Sequence, residues 1–102
     1  MAVKNVNEYN YQFHGGPNGY QGNRCILRLN DGNTSVAYVY FVVDGKPIPS
    51  DTETSRINMY MPESAIDSVI DMLRNEKPLQ IYYASGSAFF KTGDEPVGEE
   101  ES

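Results

Sequence analysis

Three of the chain's four arginines fall where a strand reading places polar side chains, and tyrosines stand beside them. In Arg24-Cys25-Ile26-Leu27-Arg28-Leu29, residues Cys25, Leu27 and Leu29 leave one face and Arg24, Ile26 and Arg28 the other, because successive strand side chains alternate. Arg56-Ile57-Asn58-Met59-Tyr60-Met61 repeats the pattern, with Ile57, Met59 and Met61 apolar and Arg56, Asn58 and Tyr60 opposite. A sheet face rich in arginine and tyrosine can take single-stranded nucleic acid. Bases stack on rings and guanidinium planes, each stack contributing about 1–3 kcal/mol, and the same guanidiniums meet phosphates. The candidate nucleic-acid-binding residues are Arg24, Arg28, Arg56, Tyr38, Tyr40, Tyr60 and Tyr82.

Other chemistry has less support. His14 is the one histidine and precedes a glycine pair, where a general base would need a fixed partner that the sequence does not supply. Cys25 sits on the apolar row and reads as a core side chain rather than a nucleophile. One His and one Cys cannot complete a four-ligand zinc site, so no metal and no cofactor is expected. Asp67 and Asp71 share a helix face as ordinary solvated acids. Gly15, Gly16, Gly19 and Gly22 follow no strand-then-helix pattern with a downstream lysine, which argues against a phosphate cradle. The expected function is binding, not catalysis.

The elements that must carry these residues follow from periodicity. Residues 1–8 read as a loose lead-in. Tyr9 to His14 alternates aromatic with polar, as a half-buried strand does. Gly15 to Asn23, with four glycines and a proline in nine residues, reads as a mobile surface loop. A second strand spans Arg24 to Leu29, and an Asp31-Gly32 hairpin signal leads to a third, about Ser35 to Val43. That third strand is apolar on both faces, which implies a central position with cover on each side, or a second face covered by something outside the chain. Asp44 to Ser55 reads as a solvated connection, and Arg56 to Met61 as a fourth strand. Pro62 and Glu63 open a helix whose apolar positions are Ala65, Ile66, Val69, Ile70 and Leu73, and Pro78 stops it near residues 75–77. Leu79 to Tyr83 is a fifth strand. Ala84 to Ser87 is either a bulge within it or a turn into a sixth at Ala88 to Lys91.

These elements predict a two-layer α+β domain over residues 1–93, an antiparallel sheet of four to six strands on one amphipathic helix in the order β-β-β-β-α-β. The first four strands would form an antiparallel meander. The helix would cover Cys25, Leu27, Leu29, Ile57, Met59, Met61 and Ile81, and the far face would hold the arginines, Tyr60, Gln80, Tyr82 and either the tyrosine or the valine row of the third strand. With only one helix, that far face needs another molecule. A homodimer or larger assembly through the far faces or third-strand edges is therefore expected, as is a single-stranded DNA or RNA partner. The order of four strands and then a helix resembles, in topology, single-strand-binding domains of the Whirly type.

Charge and composition bound the partners. The net charge is −6, but residues 94–102 hold five of the 14 acids and no base, the composition of a disordered acidic tail. The remaining 93 residues carry nine acids against eight bases, so local clustering decides what binds. The longest apolar run, Val36 to Val43, is eight residues, against about 20 for a bilayer span. Without a leading apolar stretch and with a single cysteine, the expectation is an intracellular, cytoplasmic protein.

Overall fold

Among the described residues two β-sheets and one α-helix enclose the core, so the broad α+β expectation holds while the single-sheet layout does not. The computed structural model describes residues 1–94 and 97. The expected tail at 94–102 lies outside the described residues apart from Asp94 and Val97. The strands are β1 (Ala2–Val6), β2 (Glu8–Phe13), β3 (Asn23–Asp31), β4 (Thr34–Val42), β5 (Thr52–Glu53), β6 (Ile57–Pro62), β7 (Leu79–Ala84) and β8 (Ser87–Thr92). A 3₁₀ turn at Glu63–Ala65 leads into α1 (Ile66–Asn75).

The larger sheet runs β2-β3-β4-β6-β5 and the smaller β1-β7-β8. Residues 1–8 are thus no loose lead-in: Ala2–Val6 pairs antiparallel with Leu79–Tyr83. Its short stretch, with Lys4 and Asn5 between valines, carries too little alternation to be read locally. The meander expectation also fails, because β4 and β6 are parallel, Ala37 opposite Ile57 and Tyr40 opposite Tyr60. Residues 43–56 therefore form a crossover rather than a hairpin linker, and β5 forms within it. With this parallel pair and the second sheet, the chain departs from the four-strands-then-helix topology of Whirly-type domains. Between β7 and β8, Ser85 and Gly86 have φ of 53° and 81°, which makes residues 84–87 a turn into a separate strand.

Cross-strand register gathers Cys25, Leu27 and Leu29 of β3, Ala37, Val39 and Phe41 of β4 and Ile57 and Met59 of β6 on one face, all buried. Ile66 and Val69 of α1 and Ile81 of β7 join this core. The inner face is thus closed by the helix and the small sheet together. An irregularity between Leu29 and Asn30 lets Val36 join Ala37 in the core. Flanked by β3 and β6, β4 is interior, so its edges are not available for the dimer contact expected of them.

Asp51 links the two sheets. Its Oδ1 accepts from the Tyr60 N–H and its Oδ2 from the Ala88 N–H, both at 2.8 Å.

Candidate nucleic-acid interface

The outer face of the larger sheet is built from the residues opposite the core row. Register aligns Asn10, Arg28, Tyr38, Asn58 and Thr52 in one row across the five strands, and Gln12, Ile26, Tyr40 and Tyr60 in the next. The tyrosine row of β4 is therefore the outward one. Tyr38 and Tyr40 are half-buried, shielded by neighbours in their own sheet.

Tyr38 is the centre of a cationic cluster. The Arg56 guanidinium lies 4.3 Å and that of Arg28 5.4 Å from its ring centroid, each contact contributing about 0.5–1 kcal/mol at such a surface. Tyr40 stacks on Tyr60 at 4.9 Å with 16° between planes, and Tyr38 tilts against Tyr40 at 6.1 Å. The parallel pairing creates the stack, since it sets Tyr40 directly opposite Tyr60. Burial pushes the Tyr40 phenol up from its ordinary pKa, the neighbouring Tyr60 and Tyr38 add to this, and Arg56 opposes it. The ring therefore stays a neutral hydrogen-bond donor at physiological pH.

Beside the stack lies an open cleft of about 440 Å³, lined by Tyr40, Tyr60, Val42, Lys46, Pro47 and Pro49 among others. Lys46 adds a cation at its wall. Sequence reasoning missed this residue because the connection read as solvated linker. The available signal was that Lys46 is the only base between Asp44 and Ser55, held between Gly45 and Pro47.

Of the seven candidate residues, five come together: Arg28, Arg56, Tyr38, Tyr40 and Tyr60. Arg24 does not join them. It lies at an irregularity between Asn23 and Cys25, donates Nη1 to the carbonyls of His14 and Gly16 at 2.7 Å each, and places Nε 3.5 Å from Glu63 Oε1. It ties the glycine-rich loop to the start of the helical segment. Tyr82 belongs to the smaller sheet, stacked on Phe89 at 5.0 Å with its hydroxyl 3.3 Å from Gln80. Alternation places a residue on a face, but only pairing decides which sheet that face belongs to.

The remaining candidates for chemistry are placed as follows. His14 packs against Tyr20 at 5.2 Å, and its Nε2 is buried without a hydrogen-bond partner. Cys25 is fully buried, and burial raises its thiol pKa. Asp67 and Asp71 are exposed. Among the described residues no group of three His, Cys, Asp or Glu could hold a metal ion, and no helix is long and apolar enough to cross a membrane. No protein family, curated protein or solved structure matches this chain, so the functional reading rests on its own geometry.

Proposed function

We propose that the protein is a non-catalytic binding module that takes single-stranded nucleic acid on the outer face of its larger sheet. The supporting observation is the cluster itself: two guanidiniums at one tyrosine and a stacked tyrosine pair, bordered by the Lys46 cleft. Among the described residues the outer face of this sheet carries no helix to enter a duplex groove, whereas unstacked bases can lie on its rings. Arg28, Arg56 and Lys46 supply the phosphate contacts, and the near-neutral body leaves stacking as the main source of affinity.

Three cations predict a salt dependence of about −2 in log–log slope, at about −0.7 per phosphate for single strands. Arg28→Ala with Arg56→Ala should weaken binding of a fluorescent oligonucleotide and flatten that slope by about 1.4. A wild-type chain that binds no oligonucleotide in low salt, even with residues 94–102 removed, would retire the reading. The second reading, a protein-binding homo-oligomer without a nucleic-acid role, is favoured by a different surface, the free edge at β2.

A further inference from the structure

The sheet edges are not equally protected. β5 is two residues long, β1 carries Lys4 and β8 carries Lys91, all devices that discourage edge pairing. β2, Glu8-Tyr9-Asn10-Tyr11-Gln12-Phe13, has six residues in unbroken register with β3, with no lysine, no proline and no bulge. The His14 N–H bonds the Arg24 carbonyl at 2.8 Å, so antiparallel alternation turns the backbone groups of Gln12 and Asn10 toward β3. Those of Phe13, Tyr11 and Tyr9 face the open edge. The side chains of these same three residues lie on the inner face, where Tyr11 is 42% and Phe13 60% exposed. There Tyr11 and Phe13 line a groove of about 340 Å³ with Ile66, Asp67, Ile70, Asp71 and Arg74 of α1.

We infer that two copies of this chain pair β2 against β2 antiparallel, joining their larger sheets into one across a twofold axis at Tyr11. Charge complementarity selects a second copy as the occupant. Arg74 and Tyr9 line one cleft, while Glu63, just before α1, pairs with Arg24, whose carbonyl accepts from the His14 N–H beyond the other end of β2, so α1 runs antiparallel to β2. A twofold axis at Tyr11 brings Tyr9 opposite the partner's Phe13, which sets Arg74 toward the partner's Asp67 on both sides of the axis and Ile70 toward its own copy. β2 spans about 20 Å and α1 about 15 Å, so both layers meet over a similar length. The pairing supplies about six backbone hydrogen bonds, from Tyr11 to its copy and from Tyr9 and Phe13 to each other's copies. On the reading given under Proposed function, the joined sheet presents both arginine and tyrosine faces on one side.

The interface is tested by light scattering on the full chain across a concentration series. A dimer is expected. Tyr11→Pro should make it monomeric with its circular dichroism retained, because the amide removed points away from β3 and breaks no bond within the fold. Asp67→Arg should raise the dimer dissociation constant at least about tenfold, and adding Arg74→Asp should restore it. A wild-type monomer at millimolar concentration, or a dimer unchanged by Tyr11→Pro, overturns the inference. Oligonucleotide binding is read separately, so either result leaves the nucleic-acid reading to its own test.

Discussion

Removing the Asp51 carboxylate should uncouple the two sheets. Asp51 precedes β5, and its two oxygens satisfy one backbone N–H on β6 and one on β8, each at 2.8 Å in a partly buried setting. A hydrogen bond to a charged acceptor contributes about 1.5–3 kcal/mol, and partial solvent access to the freed amides places the sum for Asp51→Ala at about 2–4 kcal/mol. For a domain of this size that is a fall of about 10–25 °C in Tm. Asp51→Asn keeps one acceptor and turns an NH₂ toward the other amide, so it should lose about half as much. Urea unfolding measures the total, with m unchanged because the same surface is exposed. Amide exchange of Tyr60 and Ala88 should accelerate more than that of Val39 in the core. A loss below about 0.5 kcal/mol, the range of ordinary surface substitutions, or equal effects of Ala and Asn, would refute the bridging role.

Tyr40 should titrate above an ordinary tyrosine when followed by phenolate absorbance, and Arg56→Ala should raise it further by removing the one group that lowers it. Because its folded pKa lies above the unfolded value of about 10, its stabilising contribution is full below that value and is lost as pH rises through the folded pKa. Gly19→Ala should destabilise more than Gly16→Ala in urea titration: both have positive φ, but a Cβ at Gly19 falls on the Asn23 carbonyl that closes the Tyr20–Asn23 bridge, whereas Gly16 faces open space. Cys25 should resist a thiol reagent under native conditions and react only as urea unfolds the chain, since it is fully buried and its pKa is raised by burial; rapid native labelling would contradict the core placement.

The local elements were legible because their causes are local. The alternating apolar positions of Cys25, Leu27 and Leu29 and of Ile57 and Met59 mark core rows on their own, and Ile66, Val69 and Pro78 bound the helix. The alternation of Arg28, Asn58 and Tyr60 with their apolar neighbours likewise announces an outward row. Pairing is different. Nothing near Ala2–Val6 reveals that it lies beside Leu79–Tyr83, more than seventy residues away, and nothing in Asp44–Ser55 reveals that the chain crosses over to make β6 parallel to β4.

The sequence alone therefore sorted the side chains of β3 and β6 into a row that hides and a row that remains outside, while leaving open which row of β4 faces out. The tertiary structure decided which faces adjoin. It set Tyr40 on Tyr60, brought Arg56 to Tyr38, added Lys46 through the crossover, and assigned Arg24 to a loop clamp and Tyr82 to another sheet. The physical reason is that backbone hydrogen bonds are alike at every residue, so strand partners are chosen by how the whole chain closes one core, a choice that no single segment carries.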